Sequence, residues 1–348
     1  MTPSLDTLPF PPAFRERLAR IVPPDRLPEV IAAYHRPGVV GFRINTLRAT
    51  AADVVTRLHD AGIPVHPVPW KADAFWTPPA FRAQLLASED ATRQHLYVQN
   101  LASMVPVEVL APRPGERVLD LAAAPGSKTL QIACHLQGEG ELVAVEAVRS
   151  RFFRLRANLT AQGATFVRTL LRDGATAWHH RPEYFDRVLL DAPCSSEGRF
   201  HASDPASYAY WRPRKIREMA RKQQRLLFSA VQCLRPGGVL VYATCSLAPE
   251  ENEDVLRRAL DTFGTALEVD PIDLPLEERL PGLTEWDGTR FPPELTRALR
   301  LLPSRFMEGF FVCRLRKVRS TLPASTGGHE ASRAVRSGPY LANRKRSR

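Results

Sequence analysis

The chain has 348 residues, with 48 Lys/Arg against 37 Asp/Glu, a formal net charge of +11 and a pI near 9.8. Its length allows two domains and a sizeable core, and 44% hydrophobic with 24% charged residues is a globular balance. No apolar run is long enough to span a bilayer, Met1–Pro12 does not read as a signal peptide, and five cysteines without a C-x-x-C pair argue against a zinc site. A cytoplasmic monomer with reduced thiols and no resident metal is expected, and the excess of positive charge suggests nucleic acid as a partner.

Residues 1–108 read as a small α/β region. Pro12–Ala33 is helical with a break at Pro23-Pro24, and Gly41–Leu47 alternates as a strand. Thr50–Ala61 is a helix with Ala51, Val54, Val55 and Leu58 on one face. Pro64–Trp76 is extended and broken by prolines, and Gln99–Leu110 is a helix leading onward. From 109 to 318 strands and helices alternate: strand Val118–Leu121, helix Ser127–Leu136, strand Leu142–Glu146, helix Arg149–Gln162 with Phe153, Arg156, Ala157 and Thr160 on one face, and strand Thr165–Leu170. Strand Asp186–Leu190, helix Pro213–Leu234, strand Gly238–Ala243 and helix Glu251–Phe263 follow. The proline-rich Pro271–Pro303 reads as loops with short helices, and Phe306–Leu315 as a last strand or strand pair. The alternation implies a mostly parallel, Rossmann-like α/β sheet covered on both faces, beside the small N-terminal α/β domain. Residues 319–348 carry +6 of the net charge, have little to bury and read as a disordered basic tail. Such a tail either adds salt-sensitive affinity for nucleic acid or merely solubilises.

The stretch Arg117–Thr129, RVLDLAAAPGSKT, is a buried strand, a loop of small residues and a helix start. Small side chains let the backbone approach a ligand, and the first N–H groups of a helix attract negative charge. Neither G-x-x-x-x-G-K-[ST] nor G-x-G-x-x-G is present, so a pyrophosphate is not indicated. Glu146 closes the next strand, where a carboxylate commonly accepts from a ribose diol. Together these point to a nucleoside, S-adenosyl-L-methionine.

Two cysteines lie just past strand ends: Cys194 in Asp191-Ala192-Pro193-Cys194 and Cys245 in Thr244-Cys245-Ser246. Cys134, Cys233 and Cys313 fall mid-element and read as core. A thiolate that adds to C6 of a pyrimidine makes C5 nucleophilic enough to take a methyl from a sulfonium. Asp191, bonded to the ring at N3, would offset the charge that develops, and a second thiol could assist the later proton loss and elimination.

In these motifs the chain resembles the RNA cytosine C5 methyltransferases, which include bacterial small-subunit rRNA enzymes and the NOP2/Sun proteins. The resemblance rests on FRINTLR at Phe42–Arg48, YVQNLASMVPVEVL at Tyr97–Leu110, LAAAPGSKT, LLDAPCSSEG, VYATCSLAPEENE and RFMEGFFVCRLRK at Arg305–Lys317. It implies a class I methyltransferase fold in which Ala122, Ala123, Ala124, Pro125, Gly126, Ser127 and Lys128 form the cofactor loop. Glu146 would hold the ribose, Arg151 would lie near the site, and Asp173 would face the adenine. Cys245 would be the nucleophile and Cys194 would assist product release, an assignment that rests on the resemblance alone. Relatives of the rRNA branch commonly carry an extra domain, whereas only the tail follows Lys317 here, as in compact members that modify tRNA. The implied partner is RNA, rRNA first and tRNA second. A ribosome-assembly factor without catalysis is the alternative of another class. The N-terminal strand is the better candidate for RNA contact. The cations of Pro213–Leu234 (Arg214, Lys215, Arg217, Arg221, Lys222, Arg225) read as a solvated face, with a grip on RNA phosphates as the alternative. Trp178, Tyr210 and Trp211 read as buried, with stacking on bases as the alternative.

Overall fold

The computed structural model describes residues 4–277 and 279–322, so the basic tail beyond Leu322 lies outside the described residues. Its first residues are tied to the core: Arg319 meets the Thr265 hydroxyl, and the Thr321 N–H donates to Glu183 at 2.9 Å.

Proline chemistry divides the first helical stretch. Pro23 and Pro24 have no N–H to donate, and the chain forms α1 (Pro12–Ile21) and α2 (Leu27–His35). Next come β1 (Val40–Ile44) and α3 (Ala51–Asp60), capped by the Thr50 hydroxyl on the Asp53 N–H. The proline-broken stretch is a hairpin, β2 (His66–Val68) and β3 (Lys71–Thr77). Two short helices without an expected counterpart, α4 (Arg82–Ala87) and α5 (Glu89–Thr92), lead to β4 (Leu96–Val98). The four strands form an antiparallel sheet in the order β2-β3-β1-β4. Phe42 and Ile44 on one face pack with Val54 and Leu58 of α3. Helices α1 and α2 pack elsewhere: Phe14 meets the rings of Phe200 and Trp211 in the larger domain at 4.9 and 5.5 Å.

Helix α6 (Leu101–Leu110), capped by the Asn100 side chain, carries the chain inward. Then follow β5 (Arg117–Asp120), α7 (Ser127–Leu136), β6 (Glu141–Glu146), α8 (Arg149–Ala161), β7 (Arg168–Leu171) and β8 (Phe185–Asp191). Helix α9 (Pro213–Cys233), β9 (Leu234–Thr244), α10 (Glu253–Phe263) and β10 (Leu267–Asp270) come next. The stretch read as loops contains β11 (Arg279–Pro281), a small hairpin of β12 (Glu285–Trp286) and β13 (Thr289–Arg290), and β14 (Leu299–Leu301). The last strand is a single one, β15 (Phe310–Lys317).

The large sheet runs β11-β14-β15-β9-β8-β5-β6-β7, with β10 also paired to β15. Strands β9, β8, β5, β6 and β7 are mutually parallel, and β15 adds antiparallel to β9. Strand order reverses at β5, so the carboxyl ends of β5, β6, β8 and β9 open onto one crevice, where such sheets bind ligands. The expected apolar face of α9 is in place, with Ile216, Met219, Leu226, Leu227 and Ala230 buried and Arg214, Arg217, Arg221 and Arg225 exposed. The face of α8 differs from expectation. Phe152, Leu155 and Leu159 are buried, each worth about 1.5–3 kcal/mol, whereas Phe153 is half exposed. Adjacent phenylalanines offer two helical stripes, and the one carrying two leucines packs inward. On β14 the buried Arg300 grips Glu253 of α10 with two bonds of 2.6 and 2.5 Å and donates to the Leu247 carbonyl at 3.0 Å.

Candidate active site

The crevice is a cavity of about 800 Å³ that receives all of the expected cofactor and catalytic positions except Gly126. Gly126 sits just behind it as the cap of α7, at φ +109°, and a Cβ there would lie 3.0 Å from the Leu155 side chain. That crowding and that backbone angle account for a glycine at this point. The rest of the loop is held by its neighbours. Leu121 and Ala123 donate to the Leu189 and Val145 carbonyls, Arg151 donates to the Ala124 carbonyl at 2.7 Å, and Asn158 donates to Pro125. Arg151 therefore positions the loop. Behind it, Arg43 of β1 donates to the Ser127 carbonyl at 3.1 Å and ties the small sheet to the cofactor loop.

Glu146 is buried at the end of β6. One carboxylate oxygen accepts from the Val148 N–H at 2.8 Å, and the other has only Arg151, 3.9 Å away. Asp173 lies at the rim, capping Ala175, half exposed, 3.8 Å from Arg225. Asp120, the last residue of β5, is fully buried. Its Oδ2 accepts from the Thr129 hydroxyl at 2.6 Å, while its Oδ1 makes no hydrogen bond, the Ala122 N–H lying close but outside bonding geometry. Burial pushes this carboxyl up to about 7.

The two strand-end cysteines meet. Cys194 Sγ lies 3.1 Å from Cys245 Sγ, and the Ser196 hydroxyl is 3.7 Å from Cys245 Sγ. The hydrogen bond from Cys194, with Arg199 and Ser196 adding to it, holds the Cys245 thiol below its ordinary range. Cys194 is pushed up by its bond to Cys245 and by burial. Asp191 takes a 2.7 Å bond from the buried Lys128 ammonium, which also donates to the Ser103 hydroxyl at 2.7 Å. The ammonium thus reaches the end of β8. Two residues not singled out from the sequence, Arg199 and Glu308, form a pair at 3.5 Å across the cavity, and burial raises the Glu308 carboxyl. The other three cysteines are buried in the core, as expected.

A buried carboxylate frame fixes both cysteine loops. Glu251 accepts from the Ser195 N–H (3.0 Å), the Ser246 hydroxyl (2.9 Å) and Gln223 (2.8 Å), and burial with nearby Glu197 pushes it up to about 7. Glu197 accepts from the Leu247 N–H at 3.1 Å and from the Trp211 ring N–H at 2.7 Å. The Gly198 N–H donates to the Cys245 carbonyl, and Gly309 N–H donates to Gly198 O; a Cβ on Gly198 would overlap the Gly309 carbonyl. Trp211 is thus structural, but Tyr210, read as buried, is 87% exposed: it precedes the turn into α9 and has no core to face.

Residues 10–76 match the model of the Methyltr_RsmF/B-like ferredoxin-like domain, and residues 107–316 match that of the 16S rRNA methyltransferase RsmB/F. The chain belongs to the RsmB/F methyltransferase family. It is 38% identical over 325 residues to "Ribosomal RNA small subunit methyltransferase F" of Serratia proteamaculans, a match covering 90% of this chain and 64% of the relative. The Escherichia coli O127:H6 protein of the same name is 38% identical over 339 residues, covering 91% and 66%. The chain thus spans just under two thirds of the length of these curated relatives. Among solved structures, a methyltransferase homolog from Pyrococcus horikoshii superposes with a TM-score of 0.78 at 33% identity, over 90% of this chain and 97% of that one. NSun6 from the same organism, at 21% identity and TM-score 0.75, shares the fold.

RsmB/F methyltransferases use S-adenosylmethionine, and the residues present fit it. An unpartnered Asp120 oxygen suits a cationic group, a Glu146 oxygen is open to a diol, and Ala122–Ala124 leave the backbone accessible. Among the described residues no helix is long and apolar enough to cross a membrane, and no cluster of three or more His, Cys, Asp or Glu has the arrangement of a metal site.

Proposed function

We propose that this chain methylates C5 of a cytosine in RNA, 16S rRNA in the cytoplasm first of all, through a covalent bond between Cys245 and the base. The observation that carries the reading is the pair of thiols 3.1 Å apart at the ends of two parallel strands, beside the cofactor loop. When bound, S-adenosylmethionine supplies the methyl group as a sulfonium electrophile. The chain supplies the rest. Cys245, the more acidic of the two thiols, adds as thiolate to C6, and the electron pair moves toward C5 and N3. An ionised carboxylate only accepts hydrogen bonds. Asp191 therefore suits the exocyclic amino group, while the Lys128 ammonium at 2.7 Å is the donor that answers the charge growing at N3. This changes the role first expected of Asp191 alone. Once Cys245 is a thioether it no longer shares a proton with Cys194. Cys194 must then give its own proton to solvent; as thiolate it can take the proton from C5, after which the C5–C6 double bond re-forms, the C6–S bond breaks and the Cys245 thiolate leaves.

The experiment is Cys194→Ala incubated with cofactor and RNA. A protein–RNA adduct that survives a denaturing gel is expected, and Cys245→Ala should form none. An adduct with Cys245→Ala in place of Cys194→Ala reverses the two roles. Bisulfite sequencing of rRNA and tRNA from cells with and without the gene identifies the substrate. A lost tRNA signal keeps the mechanism and moves the substrate, and no lost 5-methylcytosine favours an assembly factor.

A further inference from the structure

The small sheet carries a row of rings that leads away from the cavity. Phe306 lines the cavity wall, and its ring lies 5.4 Å from that of Trp76 on β3 at 72°. Trp76 pairs across the hairpin with His66 on the edge strand β2, the two rings stacked at 4.2 Å and 23°. His66 is exposed, Trp76 and Phe306 half-buried. Arg305 stands over both inner rings, 5.9 Å from Trp76 and 5.5 Å from Phe306. Arg305, Arg82 and Arg36 all line the mouth of the cavity, and none of the three makes an ion pair among the described residues. The two other arginines that line the cavity are engaged: Arg151 with the loop and Arg199 with Glu308.

We propose that this row is a track for single-stranded RNA, taking the unpaired nucleotides on one side of the target base. The inference rests on the reading of RNA as substrate and adds where the strand runs: from the cavity mouth, past Phe306 and Trp76, to His66 at the sheet edge. Its chemistry is that of single-strand recognition, π-surfaces for bases beside cations for phosphates. Protein would instead be expected to cover an apolar patch, and here the Arg305 guanidinium stands over the two inner rings, with Arg82 and Arg36 also lining the cavity. A duplex is too wide to lay bases on a ring row, so the track selects unpaired strand. It also serves the chemistry, because a cytosine must leave its stack to reach Cys245, and a strand already held open on one side lowers that cost.

The test uses the full chain with a short RNA of known single-stranded sequence, the same sequence as a duplex, and methyl transfer to it. His66→Ala should weaken single-strand binding about tenfold, raise KM by a similar factor and leave kcat at saturating RNA within twofold. His66→Phe should restore binding. Arg305→Ala should lower the slope of log affinity against log salt by about 1. Equal affinity of His66→Ala and wild type for single strand, equal loss on duplex and single strand, or a fall in kcat with KM unchanged would each overturn the track. Single-strand binding that depends on His66, together with no adduct from the Cys194→Ala variant, keeps the track and overturns the methyltransferase reading. Adduct formation with unaffected track variants does the reverse.

Discussion

Replacing Asp120 by Asn should flatten the fall in stability of the ligand-free protein as pH rises. In the unfolded chain this carboxyl titrates near 4, whereas burial lifts it to about 7 in the fold. A group raised on folding contributes stability that is complete below its unfolded value and is lost as pH rises through its folded value. From this carboxyl alone the protein loses about 4 kcal/mol between pH 4 and pH 8. At about 2 °C per kcal/mol for a chain of this size, that is roughly 8 °C in Tm. Glu251, also lifted to about 7, adds to the same slope in both proteins. Asparagine keeps an acceptor for the Thr129 hydroxyl and removes the charge. Scanning calorimetry of the two proteins should therefore give closely similar Tm values at about pH 4 and a gap widening in favour of the variant to several degrees at pH 8. S-adenosylmethionine, whose cationic groups suit an ionised Asp120, should narrow that gap at pH 8. Melting curves for the two proteins that stay parallel from about pH 4 to pH 8 would refute the reasoning, because they would mean that Asp120 is not a buried carboxyl held short of partners.

Two further expectations concern other charged contacts. Arg199→Gln should raise the pH midpoint for alkylation of Cys245, because its guanidinium helps to hold that thiol low, while Arg199→Lys should keep most of the effect; peptide-resolved iodoacetamide kinetics checks this, and an unmoved midpoint contradicts it. Arg300→Met should cost about 3–5 kcal/mol by stranding Glu253 in the core, and adding Glu253→Met should recover most of it in urea unfolding.

The parts of the site that follow local rules were readable from the chain. An apolar run, small residues and a helical pattern put the cofactor loop between β5 and α7, and the helix limits coincide with those expected. Cys194, Cys245 and Asp191 stood out because each follows a strand, and parallel strands deliver their ends to one edge. What was missed depends on contacts distant in sequence. The open oxygen of Asp120 exists only because Thr129 takes the other. Glu308 and Arg199 are 109 positions apart in the numbering and meet across the cavity. Strands β11–β14 are two or three residues long, too short for an alternating pattern to register amid prolines. The choice between the two thiols came from the resemblance alone, because both cysteines lie just past a strand end and no local rule separates them.

The glycine contact between Gly198 and Gly309 sets a timetable for the protein's own synthesis. Gly309 stands at the start of β15, which lies inside the sheet against β9 although it is the last strand described. Until residues 310–317 have emerged from the ribosome, β9 has an open edge and the loop bearing Cys194 lacks the backbone it rests on. The cofactor loop, in contrast, is complete some 180 residues earlier in the numbering. A nascent chain therefore builds its cofactor loop well before its thiol pair, and the two cysteine loops find their support only once the last described strand has been made.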